Sequence, residues 1–231
     1  MSDLLSSIKI EVNPLIYLKD PESSDLGRKI LSTSLTMIDE LGMEHFTFRK
    51  LAKELKTTES SIYRYFESKH KLLLYFYNWY WAWLEYKIVF GTNNIEPSSS
   101  KLKKAIEIIC QPIKNEKAER ENISFSLRSL INIVISESSK AYLIKEVDEE
   151  NKAGFFLAFK TVVKRLVKIV HEIDPNYPHA HTLVSTCIEG ILHQYYFARH
   201  LPSLSDVSKD SDQLADIFFH IIYNNLKQQG K

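Results

Sequence analysis

The chain has 231 residues, 44% of them hydrophobic, enough to bury a sizeable core in one large domain or two modest ones. Six glycines and seven prolines accompany many Leu, Ile, Lys and Glu and few Val-Thr alternations, which argues against a β-rich protein and for an all-α one. A formal net charge of +1 excludes a polycation that coats nucleic acid indiscriminately, so any affinity for DNA must come from local clustering of charge.

No segment at the start combines a basic stretch, an apolar core and a small-residue cleavage site, and no apolar run is long enough to span a bilayer. The aromatic stretch from Leu72 to Phe90 comes nearest, but Asn78, Glu85 and Lys87 interrupt it. A cytoplasmic protein without a membrane partner is expected. Cys110 and Cys187 stand apart, lie in helical patterns and have no metal or redox spacing, so they read as reduced core thiols.

Residues 1–24 form an N-terminal arm. Ile8-Lys-Ile-Glu-Val12 alternates like a strand, Asn13-Pro14 breaks it, and Pro21-Glu-Ser-Ser leads towards a helix. An extended arm can reach along DNA, but Glu11, Asp20 and Glu22 against Lys9 and Lys19 favour one lying on the protein's own surface. From Asp25 to Leu41 the positions Leu26, Ile30, Ser34, Met37, Ile38 and Leu41 make one helical face, with Ser24 or Asp25 as cap and Gly42 as stop.

The stretch 46–69, FTFRKLAKELKTTESSIYRYFESK, carries the strongest signal. Phe48, Leu51, Ala52 and Leu55 recur at helical spacing behind Thr47, an N-cap acceptor, giving a helix of about two turns. Lys56-Thr57 interrupts the pattern, Thr58 caps again, and Ile62 and Phe66 fall on a second helix whose other face carries Ser60, Ser61 and Arg64. Two short helices sharing an apolar side, with small Ala52 where they cross and polar groups on the second, are the parts of a helix-turn-helix. Arginine can donate two hydrogen bonds to guanine, and hydroxyls can bond base edges or phosphates. Between Arg49 and Lys71 the basic residues Arg49, Lys50, Lys53, Lys56, Arg64, Lys69 and Lys71 face only Glu54, Glu59 and Glu67, a basic surface within a near-neutral protein.

At these residues the sequence resembles the tetracycline-repressor (TetR/AcrR) family of bacterial transcription regulators. The resemblance rests on a helix ending near Leu41-Gly42, Phe-Thr-x-x-x-Leu-Ala-x-Glu at 46–54, Ser-Ile-Tyr-Arg-Tyr-Phe at 61–66, Lys69, and the apolar pair Leu72-Leu73. One departure is visible: the family usually has glycine in the turn, where this chain has Lys56, and a left-handed residue there costs about 1–2 kcal/mol. The resemblance implies a non-enzymatic regulator without cofactor. It implies an all-α fold in which a three-helix helix-turn-helix domain, residues 25–70, is joined by a linking helix to a larger helical bundle, residues 71–231, for ligand binding and dimerisation. Ser60, Ser61 and Arg64 are then expected to read bases, and Thr47, Arg49, Thr58, Tyr63, Tyr65 and Lys69 to complete the DNA-binding set, mainly at phosphates.

The next helix is expected from Ser68 to Phe90, ending at Gly91. Its aromatics, Tyr75, Phe76, Tyr77, Trp79, Tyr80, Trp81, Trp83 and Tyr86, surround the axis, so it must be contacted on more than one side. Residues 91–98 read as a loop. A helix follows over 99–113 with Leu102, Ile106, Ile109 and Cys110 inward, then a charged connector over 114–121 and a helix over 122–137 with Phe125, Leu130, Ile133 and Val134 apolar. One long helical pattern runs from Lys140 to Ile173, with Phe155, Phe156, Phe159, Val162, Val163, Leu166 and Val167 among its apolar positions, until Asp174-Pro175 ends it. In the resembling family the equivalent helix connects the DNA-binding domain to the ligand domain; its aromatic second half and the apolar middle of the 140–173 pattern are candidate cavity walls. Trp79, Trp83, Phe125, Phe156, Phe159 and Tyr195 are the expected ligand-binding residues, and such aromatic, apolar walls suit a small hydrophobic or aromatic effector.

The last two helices, 178–201 and 210–227, carry the stripes Val184, Cys187, Ile188, Ile191, Tyr195, Ala198 and Leu214, Ile217, Phe218, Ile221, Ile222, Leu226, with Gly190 and Ala198 permitting close helix approach. The resemblance implies that they pair with their copies, giving a homodimer that reads a near-palindromic double-stranded operator. His179, His181, His193 and His200 cluster late, with Glu189 and His193 on one helix face, but do not supply a convincing three-ligand metal set. No nucleophile elbow, phosphate loop or carboxylate pair appears. Two rivals remain open: an effector-free regulator controlled by a protein partner, and a helical enzyme or carrier with a non-functional reader.

Overall fold

The computed structural model describes residues 10–111, 126–207 and 213–227, so Phe125 lies outside the described residues. Among them are eleven α-helices and no strand. We label them α1 (Asp25–His45), α2 (Phe48–Glu54), α3 (Glu59–Tyr63), α4 (Lys69–Thr92), α5 (Ser98–Cys110), α6 (Leu127–Glu137), α7 (Ser139–Tyr142), α8 (Val147–Lys152), α9 (Leu157–Ile173), α10 (Ala180–His200) and α11 (Gln213–Lys227). They fall into two compact units. The first comprises residues 10–82 and 126–157, the second 83–111, 158–207 and 213–227.

In the first unit, the arm makes no strand over its described part. Ile10 and Val12 are buried without strand pairing, and two short 3-10 turns follow at Pro14–Ile16 and Pro21–Ser23. Helix α1 starts at Ser24, whose Oγ accepts from Gly27 N–H at 3.2 Å. Its buried stripe is Ile30, Leu31, Ser34, Leu35 and Ile38, whereas Leu26 and Met37 are half-buried and Leu41 is exposed. The face is thus rotated from the expected one. The expected stop at Gly42 is a break in helical geometry (φ 73°, ψ 158°), open mainly to glycine, after which one more turn reaches His45.

Thr47 caps α2 by accepting from Lys50 N–H, and Thr58 caps α3 by accepting from Ser61 N–H at 3.3 Å. Between them Lys56 adopts φ 51°. Lys56 N–H bonds to Lys53 O at 3.2 Å and Thr57 N–H to Ala52 O at 2.9 Å, the paired bonds of a Schellman helix end. Lysine therefore occupies the left-handed position that glycine usually fills. Ile62, Phe66 and Leu51 are fully buried and Ala52 nearly so, giving α2 and α3 their shared apolar side.

Every residue of α4 from Leu72 to Trp81 is buried, as a helix contacted on all sides requires. Helix α6 packs on α1 through Leu130, Ile131, Ile133 and Val134. The long helix expected over 140–173 is instead three helices. Leu143 leaves helical geometry after α7, and Gly154 at φ 82° separates α8 from α9, which ends at Ile173 before Asp174-Pro175 as expected. Periodic apolar spacing on both sides of a glycine hides a break that the positive φ makes real.

In the second unit, α11 packs against α5 and α10. Leu214, Phe218, Ile222 and Leu226 turn inward, and Val184, Cys187, Ile188, Ile191 and Tyr195 are buried on α10. A Cβ on Gly190 would stand 2.9 Å from the Phe218 ring, so the close helix approach expected at that glycine is made within the chain. Burial pushes the Cys187 thiol up to about 11, in keeping with an unreactive core residue.

Candidate nucleic-acid interface

The apolar side of α2 and α3 faces the core, so the opposite side is left to solvent and carries polar groups. Ser60 and Arg64 are exposed there, and Ser61 is half-buried. Tyr63 is 47% exposed, its ring edge-on to Phe48 at 5.1 Å between centroids, so one part of the ring packs while the hydroxyl end stays near solvent. Thr58 Oγ1 lies 2.9 Å from the Oγ of both Ser60 and Ser61, bringing three hydroxyls together at the start of α3. Lys53 and Lys56, on the same helix end and turn, are also exposed; they stood in the charge pattern but not among the residues expected to bind DNA.

Arg49 Nε donates to Glu59 Oε1 at 3.2 Å. Both groups are solvated, and such a pair is worth at most about 1 kcal/mol, so a phosphate can displace the carboxylate at little cost. Thr47 is exposed at the first turn of α2, its Oγ1 already accepting from Lys50 N–H.

Two of the expected DNA ligands have partners within the protein, Tyr65 buried and Lys69 exposed. Tyr65 is only 4% exposed. Its hydroxyl lies 2.7 Å from Ser24 Oγ and 3.5 Å from Lys19 Nζ, and the hydrogen bond from Ser24, reinforced by the Lys19 ammonium, holds the phenol below the usual tyrosine range. Lys69 Nζ donates to the carbonyl oxygens of Met43 at 2.7 Å and Phe46 at 3.4 Å, closing the end of α1. Both residues touch segments distant in sequence, which no local pattern reveals.

The residues expected to bind a ligand divide between the units. In the first, Trp79 and Phe156 are buried, and Phe156 meets Tyr77 edge-on at 6.3 Å. In the second, Trp83 is buried under Lys87 Nζ at 4.9 Å from its ring, Phe159 is half-buried, and Tyr195 donates to Cys110 O at 3.0 Å. Among the described residues no three His, Cys, Asp or Glu side chains converge as metal ligands, and His193 Nδ1 lies 2.8 Å from the Glu189 backbone oxygen rather than its carboxylate. No helix of the described residues is long and apolar enough to cross a membrane.

Two capped short helices with a shared core side and a polar outer side define a helix-turn-helix reader. Residues 30–76 match the family model of bacterial regulatory proteins, tetR family. Residues 30–76 thus carry a DNA-binding module of the tetR-family type. The crystal structure of superantigen PfiT aligns over 91% of this chain and 100% of that one, with a TM-score of 0.56 and 16% identity, a likeness that extends to the fold alone. No curated protein matches the chain.

Proposed function

We propose that the protein is a homodimeric repressor that binds a near-palindromic operator and leaves it when a small hydrophobic or aromatic molecule binds the helical domain that follows the 25–70 reader. The observation that carries this reading is the outer side of α3, where Ser60, Tyr63 and Arg64 reach solvent opposite the buried Ile62. Side chains of these types suit base edges and phosphates in a major groove, with Ser61 beside them.

A dimer is supported by α11. Its inner face is buried within the chain, yet Ile217 and Ile221, one turn apart on another face, are 40% and 42% exposed. Large aliphatic groups repeated at this spacing suit a helix of a second copy. A two-fold dimer sets two recognition helices roughly 34–36 Å apart, one turn of DNA. Release by an effector requires that the effector bind the DNA-incompetent state more tightly. Of the aromatic candidates, Trp83, Phe159 and Tyr195 of the second unit are the residues proposed to meet it. Control without an effector is the second reading, favoured by the burial of α4 from Leu72 to Trp81.

Sedimentation and DNA titration test the dimer together. The wild-type chain is expected to sediment as a dimer, and a variant carrying Ile217→Glu and Ile221→Glu as a folded monomer with at least about a tenfold loss of operator affinity, since one half-site is then bound alone. A wild-type monomer that binds one half-site with full affinity contradicts the proposal.

A further inference from the structure

The arm ahead of α1 is more than a lead-in. It is built from two short turns, each opened by proline and capped by the residue before it: Asn13 Oδ1 accepts from Leu15 N–H at 3.0 Å, and Asp20 Oδ1 from Glu22 N–H at 2.9 Å. Its seat on α1 is a glycine. A Cβ on Gly27 would fall 2.1 Å from the Pro21 carbonyl oxygen and within 3 Å of Pro21 C and Cα, backbone atoms that no side-chain rotation can move away.

From that seat the arm reaches three places in the first unit. It holds Tyr65, just past the recognition helix, at both ends: Leu18 N–H donates to Tyr65 O at 2.8 Å, and Ser24 Oγ meets the Tyr65 hydroxyl at 2.7 Å. It touches α4, where Tyr75 Oη donates to Glu22 Oε1 at 3.3 Å and the Tyr75 ring meets Tyr17 edge-on. At its start, Asn13 Nδ2 donates to Ala153 O at 2.9 Å, beside Gly154, whose left-handed backbone separates α8 from α9.

We propose that residues 13–24 are a strap that ties the Ala153–Gly154 corner to the end of the recognition helix, making Tyr65 a positioning residue held by the strap rather than a phosphate ligand. Ala153 closes α8 beside the left-handed Gly154, so a shift of this corner moves the carbonyl that Asn13 holds. Asn13 follows it, and the two proline turns convey the displacement to Leu18 and Ser24, both anchored on Tyr65. Two of the arm's acidic residues fit an inward role, Glu22 accepting from Tyr75 and Asp20 closing its own turn.

The consequence for DNA binding rests on the proposed reader, but the strap itself is read without DNA. In the full-length protein, amide hydrogen exchange is measured for the wild type, Asn13→Ala, Tyr65→Phe and the double variant, with Gly27→Ala as a variant that unseats the strap from the other side. Asn13→Ala, which removes both the bond to Ala153 and the cap on Leu15, is expected to speed exchange at Leu18 and residues 62–66 by at least about fivefold, while α11 is unchanged. The double variant is expected to exchange no faster than the faster single variant, because both break one chain of contacts. Acceleration by Asn13→Ala confined to residues 10–16 and 153–154, or multiplicative effects in the double variant, overturns the strap. On operator affinity, Tyr65→Phe is expected to have no further effect once Asn13 is alanine, and an undiminished loss there returns Tyr65 to the DNA. Should no DNA sequence be preferred while the exchange pattern holds, the functional reading fails and the strap stands.

Discussion

Glu137→Ala is expected to destabilise the protein by about 2–3 kcal/mol, with Glu137→Gln losing less than half of that. The carboxylate is 7% exposed at the end of α6 and serves two partners: Oε1 accepts from Met43 N–H at 3.2 Å, and Oε2 lies 2.8 Å from Lys140 Nζ. Met43 follows Gly42, where α1 departs from helical geometry, so this side chain holds the backbone at the break. Alanine leaves a buried N–H donor without that acceptor, which costs about 1–3 kcal/mol, and adds a small void. Glutamine keeps a carbonyl for Met43 and gives up mainly the pair to Lys140, whose half-exposed ammonium also reaches Glu44 at 2.9 Å. Urea unfolding of both variants decides between the two contributions. Equal losses for alanine and glutamine would show that the ion pair, rather than the hydrogen bond at the break, is what matters.

Arg64→Ala is expected to weaken operator binding by about 1–3 kcal/mol and to relax the preference at one base pair, as removal of a bidentate guanine contact does. Arg64 lies at the end of α3 and is exposed, so its truncation removes little packing. Arg49→Ala should behave differently. Its guanidinium is solvated and only loosely paired to Glu59, so the loss should fall on all sequences and reduce the salt slope by about one. Lys69→Ala forms a third class, because its ammonium closes the Met43 and Phe46 carbonyls: an unfolding midpoint that falls along with affinity is the expected sign. Binding isotherms at several salt concentrations on single-base operator variants separate these effects, and the same pattern for Arg64→Ala and Arg49→Ala would end the division between base reading and phosphate contact.

Much of the reader was legible because its signals are local. A cap needs its acceptor three residues ahead of the donor, so Thr47 and Thr58 announced α2 and α3, and Gly42 announced the break in α1. The departure at Lys56 was legible too, and the residue does take the left-handed conformation. What stayed hidden depends on partners far along the chain. No local pattern shows that the Tyr65 hydroxyl meets the arm's Ser24, 41 residues earlier, or that the Lys69 ammonium meets a carbonyl at the end of α1. The alternation at Ile8–Val12 suggested a strand, but Ile10 and Val12 are buried without one, since alternate burial needs only a surface to lie on. Gly154 was present in the 140–173 pattern, yet a lone glycine within apolar spacing does not declare whether its φ is positive.

In the proposed function the polar side of α2 and α3 reads DNA as half of a two-fold pair. Selecting bound duplexes from a random pool with the purified full-length protein, at low salt where phosphate contacts are strongest, tests it most directly. The expected result is convergence on a near-palindrome with half-sites centred about one helical turn apart, lost at specific positions with Arg64→Ala. A pool that never converges, although the protein is folded and dimeric, would contradict it.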